Sequence, residues 1–182
     1  MRYLLSGAVK AGKSYRALQI ARAEFSCARA FIATAEVTDK EMAERIEKHR
    51  AERRRHDGTE EFITIEEPLQ LDQAVQKGLA RLHTIPGPDN DKPGIIIDCI
   101  PMWVNNILFY KREQDLQDIL ERTITALPED AIIVTNEIGW GNIPYDDLSR
   151  RYNRLVAEVN IRLAKAVDHV ELLVAGIPVR IK

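Results

Sequence analysis

Two runs of consecutive aliphatic residues, Ile95-Ile96-Ile97 and Ile132-Ile133-Val134, narrow the possible folds more than any other feature of this chain. A strand with one face in water alternates apolar and polar side chains. An unbroken aliphatic run suits a strand buried on both faces, the situation in a parallel sheet covered by helices. These runs belong to predicted strands at Gly94 to Cys99 and Ala131 to Asn136. Others fall at Arg2 to Ser6, Ala30 to Ala35, Phe62 to Glu66 and Val170 to Ala175, with a short last one at Val179 to Ile181. Helical patterns fill the intervals: Lys13 to Phe25, Asp39 to about Arg55, Leu69 to Leu82, Gln114 to Leu127 and Asp146 to Ala166. Alternation of this kind predicts an α/β fold, a mostly parallel sheet flanked by helices, in a single domain over residues 1–182.

Local signals refine the pattern. Thr38 and Glu41 have the spacing of a capping box at the start of the second helix. In the last helix Leu148, Tyr152, Leu155, Val159 and Leu163 form an apolar stripe, suited to core packing or to an interface. Between Thr84 and Gly94 the residues Pro86, Gly87, Pro88, Asn90 and Pro93 are too dense in turn formers for regular structure.

Charge and cysteine usage exclude several classes. Lys plus Arg number 26 against 28 Asp plus Glu, so the chain lacks the basic excess of a dedicated nucleic-acid binder. No apolar run approaches the roughly 18 residues of a membrane span, and the N-terminal run is too short for a signal peptide. Cys27 and Cys99 share no metal or redox spacing, which predicts two buried thiols in a cytoplasmic protein. At 182 residues the chain can bury roughly 70% of its unfolded surface, so neither disulfides nor a structural metal is needed for a core.

Chemistry enters at Gly7-Ala8-Val9-Lys10-Ala11-Gly12-Lys13-Ser14, which fits G-x-x-x-x-G-K-[ST] between a predicted strand and a predicted helix. Glycines let the backbone curl so that successive N–H groups face a phosphate, and the helix that follows adds its positive end. Lys13 is placed to reach the β- and γ-phosphates, and the Ser14 hydroxyl to bind Mg2+. A P-loop site of this kind also needs an acidic residue from the end of another apolar strand. Asp98 is the first candidate and Glu137 the alternative.

The second helix carries a histidine on its apolar stripe. Met42, Ile46, His49 and Arg53 recur at i, i+4, i+7 and i+11, so His49 faces inward while Lys48 points elsewhere. Lys48, Arg50, Arg53, Arg54 and Arg55 surround it, either as a solvated basic face or as a bed for a polyphosphate. Neighbouring cations disfavour protonation of an imidazole, which leaves it able to attack phosphorus. The same position also suits a partly buried, hydrogen-bonded histidine. His56, His83 and His169 lack comparable partners.

Taken together, these motifs resemble the bifunctional adenosylcobinamide kinase and adenosylcobinamide-phosphate guanylyltransferase family of cobalamin biosynthesis, over essentially the whole chain. The resemblance rests on the P-loop, Phe31 to Ala35, Glu41 to Arg50, Asp98-Cys99-Ile100 with Asn105 to Leu108, Val134 to Gly141 with Pro144, Asn160 to Ala164, and the closing Gly176 to Lys182. It implies a P-loop NTPase-like, RecA-type fold and two reactions, with ATP and GTP as substrates and Mg2+ as cofactor. Adenosylcobinamide is phosphorylated by ATP or GTP, and GTP then donates GMP to adenosylcobinamide phosphate through a guanylyl-histidine. The Arg45-Ile46-x-x-His49-Arg50 context assigns that histidine to His49. Nucleotide contacts implied by the resemblance are Gly7 to Ser14, Ala33, Thr34, Ala35, Arg50, Ala51, Glu52, Arg53, Glu66 and Asp98. It also implies a homo-oligomer, a trimer; a chain of 182 residues is short for two reactions, which predicts one nucleotide site shared by both. This chain departs from its relatives in having Phe62 where a tryptophan is usual, and in a longer connection from His49 to Phe62. A P-loop kinase without nucleotidyl transfer and a non-catalytic nucleotide-binding regulatory module are the competing readings.

Overall fold

The aliphatic runs become the middle of one seven-stranded sheet. In a computed structural model, which describes residues 1–25, 28–54, 61–85, 93–138, 140–141 and 143–182, the strands are β1 (Arg2–Gly7), β2 (Arg29–Ala33), β3 (Ile63–Glu66), β4 (Gly94–Asp98), β5 (Asp130–Val134), β6 (His169–Val174) and β7 (Ile177–Arg180). Their order is β3-β2-β4-β5-β1-β6-β7, parallel throughout except for the antiparallel β6–β7 hairpin. Cys27, Arg55 to Gly58, Gly139 and the proline-rich centre at 86–92 lie outside the described residues.

The helices are α1 (Lys13–Glu24), α2 (Lys40–Glu52), α3 (Leu71–Leu82), α4 (Ile100–Phe109), α5 (Leu116–Ala126) and α6 (Asp147–Ala166), with a 3-10 turn at Glu113–Asp115. Strand alternation sorts the core into two layers. Leu4, Ile32, Ile95, Ile97 and Ile133 point to the side of α3, α4, α5 and α6, while Leu5, Phe31, Ile96 and Ile132 pack with α1. Both faces of β4 and β5 are therefore dry, as the continuous runs require. The α6 stripe serves the core: Val159 and Leu163 are buried, together with Val156, and Tyr152 and Leu155 pack against them. Leu148 instead remains exposed.

Two local expectations are corrected. Asp39, not Thr38, caps α2: its carboxylate accepts from the Met42 N–H at 2.8 Å, and the Thr38 hydroxyl turns to Asp39 Oδ2. An ionised acceptor makes the stronger bond to an N-terminal amide. The second correction is α4, which periodicity does not reveal because the segment is apolar on nearly every side. Pro101 sits in its first turn, where the missing N–H is harmless. Strands β2, β4 and β5 also end one to two residues before their predicted limits, which leaves Ala35, Cys99 and Asn136 in loops.

Helix α4 fastens two of those loops. Trp103, fully buried, donates from Nε1 to the Leu69 carbonyl at 2.7 Å. Asn106 Nδ2 donates to the carbonyls of Thr34 at 2.8 Å and Pro68 at 3.1 Å, joining the exits of β2 and β3. Replacing Asn106 with Leu conserves bulk but strands both carbonyls. A loss of about 1–3 kcal/mol is expected, read as a lower urea midpoint with an unchanged slope. A wild-type midpoint would show that Asn106 is not what holds these loops.

Candidate nucleotide site

In a parallel sheet the loops that leave the carboxyl ends of the strands share one edge, and ligands bind there. At the end of β1 the chain enters the glycine-rich loop. Gly7 has φ +150°, and a Cβ there would stand 2.6 Å from the Leu173 carbonyl oxygen of β6, so no side chain fits. Lys10 and Gly12 also have positive φ, 61° and 89°, and the Ala11 N–H closes back on the Ala8 carbonyl at 3.2 Å. Gly12 caps α1 without a side-chain hydrogen bond, which leaves the first-turn amides to an anion. Buried Lys13 lies over this loop, its Nζ donating to the carbonyls of Gly7 at 3.1 Å and Ala8 at 2.6 Å.

Asp98, at the end of β4, is the point on which the site converges. The Ser14 side chain is hydrogen-bonded to its carboxyl, the Lys13 and Arg53 cations act on it, and His49 lines the same cleft. Burial pushes this carboxyl above the usual carboxylate range, against the pull of that hydrogen bond and those cations. Strand β5 separates β4 from β1, so at roughly 4.8 Å per strand the two exits stand about 10 Å apart, a gap that side chains span. Among the described residues no group of three His, Cys, Asp or Glu forms a metal cluster. A hydroxyl beside one carboxylate is still the sparse oxygen set that suits Mg2+, which takes its remaining ligands from phosphates and water.

Helix α2 closes the second side. A cleft of about 70 Å³ lies beneath it, lined by all four stripe residues, Met42, Ile46, His49 and Arg53, and by Ala33, Ala35 and Asp98 among others. His49 Nδ1 is 4.0 Å from Glu52 Oε2, and its side chain is one-third exposed. Arg53 is buried with its guanidinium 4.1 Å from the centre of the Phe31 ring, a cation–π contact. Arg50 binds the Glu66 carboxylate and lies 3.6 Å from that of Glu47, and the bond to Glu66 raises its guanidinium pKa. The basic segment is thus partly engaged by acids and an aromatic ring. A wider cavity of about 780 Å³, along edge strand β3, shares Arg50 and Glu66 with the cleft.

Other sequence-derived residues fall elsewhere. Thr34 is fully buried, donating to the Cys99 carbonyl at 2.8 Å and accepting from the Cys99 N–H at 2.9 Å, so it ties the β2 and β4 exits together. Ala51 and Glu52 are exposed and do not line the cleft. Cys99 is only half-buried and borders the cleft, unlike the buried thiol expected. Met102, also on the wall, escaped sequence reasoning because the unrecognised α4 carries it. Glu137, just past β5, meets the P-loop through its backbone, its N–H donating to the Gly7 carbonyl at 3.2 Å.

The state of Asp98 has a thermodynamic signature. Its folded pKa lies above the model-compound value of 3.8, so the ionised form costs stability above the folded pKa, and that cost vanishes as pH falls toward 3.8. In the absence of nucleotide, Asp98→Asn is therefore expected to melt higher than wild type at pH 7–8, with the gap closing on acidification. Melting curves across this range check it. A constant gap, or a lower Tm at pH 8, would contradict the assignment.

Comparison with known proteins agrees with this geometry. The profile of the family described as cobinamide kinase / cobinamide phosphate guanyltransferase matches residues 3–181. The bifunctional adenosylcobalamin biosynthesis protein CobP of Pseudomonas aeruginosa is 34% identical over 185 residues, covering 100% of this chain and 98% of that protein. The bifunctional protein CobU of Salmonella typhimurium is 32% identical and that of Escherichia coli 30%, each over 198 residues and the full length of both chains. Among solved structures, an ATPase from the type III secretion system of pathogenic bacteria superposes with a TM-score of 0.57 at 8% identity, over 95% of this chain and 51% of that one, a likeness of fold alone. A match running from one end of the chain to the other, on a sheet that assembles a P-loop, a strand-end carboxyl and a helix-borne histidine, makes this chain a member of the cobinamide kinase / cobinamide phosphate guanyltransferase family.

Proposed function

We propose that the chain performs both reactions of its family at one site. ATP or GTP phosphorylates the aminopropanol hydroxyl of adenosylcobinamide. GTP then donates GMP to the new phosphate by way of His49, giving adenosyl-GDP-cobinamide and pyrophosphate. The observation that carries this reading is the cleft that His49 and Arg53 line together with Asp98, the carboxyl that Ser14 of the P-loop helix engages. A P-loop kinase alone has no need of a histidine in the cleft beside that carboxyl, and a regulatory module has no need of either.

In the kinase step the amides of Gly7 to Ser14 and the Lys13 ammonium hold the phosphates in line with the acceptor. Ser14 and Asp98 would hold Mg2+, which when bound neutralises charge on the β- and γ-phosphate oxygens. In the transfer step a ring nitrogen of His49 attacks the α-phosphorus and the bond to pyrophosphate breaks. A phosphate oxygen of the acceptor next displaces His49, which recovers its lone pair. Arg50 and Arg53, with Ala33 to Ala35 and Glu66, serve as nucleotide contacts around His49.

One nucleotide cannot present both its γ- and its α-phosphorus from a single pose, so either α2 shifts between steps or the nucleotide binds in two ways. That α2 contributes no residue to either core layer, among those described, supports the first option. The reading includes a homotrimeric assembly acting in the cytoplasm, and a single domain, since one sheet takes strands from both ends of the chain. Among the described residues no helix is long and apolar enough to cross a membrane.

GTP labelled at the α-phosphate should leave an acid-labile, alkali-stable label on the protein, abolished in His49→Ala. Lys13→Ala should lower cobinamide phosphorylation by about 10²–10³-fold, the loss typical of one preorganised charge partner. A label that persists in His49→Ala would remove His49 from the mechanism, and unlabelled wild type that still phosphorylates cobinamide would favour the simple kinase.

A further inference from the structure

We propose that Glu137 is the general base of the kinase half-reaction and that Asn160 is its positioning residue; the assignment rests on the family reading above. Forming the bond from the acceptor oxygen to the γ-phosphorus releases the hydroxyl proton, while the bond to the departing nucleoside diphosphate breaks with its electron pair. Something must take that proton. Lys13 is a cation already engaged with the Gly7 and Ala8 carbonyls, and the Asp98 carboxyl is paired with Ser14, with which it would hold Mg2+. His49 is reserved for the other reaction.

Glu137 has the placement and the freedom. Strand β5 lies between β1, which ends in the P-loop, and β4, which ends at Asp98, so its exit opens over the gap where the γ-phosphate and acceptor must meet. The Glu137 N–H donates to the Gly7 carbonyl at 3.2 Å, and Lys13 Nζ donates to that same oxygen at 3.1 Å. One carbonyl therefore links the backbone of Glu137 to the phosphate-binding lysine. The Glu137 side chain is half-buried, and among the described residues its carboxylate makes no hydrogen bond or ion pair.

The backbone that delivers this carboxylate is held from both sides. Thr135, fully buried, donates its N–H to the Leu5 carbonyl at 2.9 Å and its hydroxyl to Asn160 Oδ1 at 2.6 Å. Asn160 Nδ2 donates in turn to the Asn136 carbonyl at 2.9 Å. Three consecutive residues, Thr135, Asn136 and Glu137, are thus fastened to α6 on one side and to β1 on the other. An amide is the side chain for this task, because it accepts at one atom and donates at the other. Misplacing a proton acceptor by about 1 Å can cost on the order of 100-fold in rate, so a clamp on its backbone has a catalytic consequence.

Assaying the half-reactions separately tests the proposal. Wild type and variants are given cobinamide with γ-labelled ATP, and, in a second assay, α-labelled GTP without acceptor. Glu137→Gln should lose phosphoryl transfer by about 10²–10⁴-fold with the KM for ATP within about threefold of wild type, while His49 still takes up the GMP label. Loss of both activities would make Glu137 a nucleotide or metal group, and retention of both would leave it no role; either overturns the assignment. Glu137→Asp, which keeps a shortened carboxylate, should recover part of the kinase rate, and no recovery in a folded Asp variant also counts against a base. Asn160→Ala should lower the kinase kcat about tenfold, yet add nothing when combined with Glu137→Gln. Multiplying losses in the double variant would make Asn160 merely structural. Wild type that fails to phosphorylate cobinamide would sink the proposed two-reaction function, and with it this assignment, whereas the variant outcomes bear on Glu137 and Asn160 alone.

Discussion

The carboxyl of Asp98 is the group on which the site is built. Taking it out of water is unfavourable, and what offsets the cost comes from other segments: the Ser14 hydroxyl and Lys13 from the P-loop helix, and His49 and Arg53 from α2. Each of these elements faces one half-buried acid.

The loops around that carboxyl are shaped by side chains that bind main-chain atoms. Thr34 joins the exits of β2 and β4, Asn106 those of β2 and β3, and Asn160 steadies the exit of β5. Loop backbone away from the sheet has polar groups that the ladder no longer serves, and burying them requires partners of this kind. Rigid loops around the phosphate site contrast with α2. Its exposed ion pairs, such as Lys40 with Glu44, contribute little to holding it in place. Among the described residues, the helix that carries His49 contributes nothing to either core layer. In this protein the buried aliphatic layers on the two faces of the sheet form the core, and α2 stands outside both.

Much of this was legible in the residues. Consecutive isoleucines identified β4 and β5 as central strands, since only burial on both faces tolerates such a run. The spacing of Gly7, Gly12, Lys13 and Ser14 located the phosphate loop, and the stripe Met42, Ile46, His49, Arg53 emerged as one wall of a cleft. What failed to show had a common cause. Helix α4 has no polar face to set a period, so Met102 stayed hidden with it, and Asn106, though part of a quoted motif, gave no sign of the two carbonyls it holds. The cap moved from Thr38 to Asp39 because two acceptors stood side by side and local spacing cannot rank them. Thr34 and Cys99, 65 residues apart, share two hydrogen bonds that no local pattern announces.

The sequence by itself determined the class of sheet, the phosphate loop, the face of α2 on which His49 lies and the family, because these depend on short-range periodicity or on contiguous motifs. Only the tertiary structure decided that β5 would separate the P-loop strand from the Asp98 strand, and that His49 and Ser14 would act on one carboxyl. It also decided that Glu137 would share a carbonyl with Lys13. Strand order and loop convergence follow from how distant segments bury one another, and that balance is struck over the whole chain rather than within any window of it.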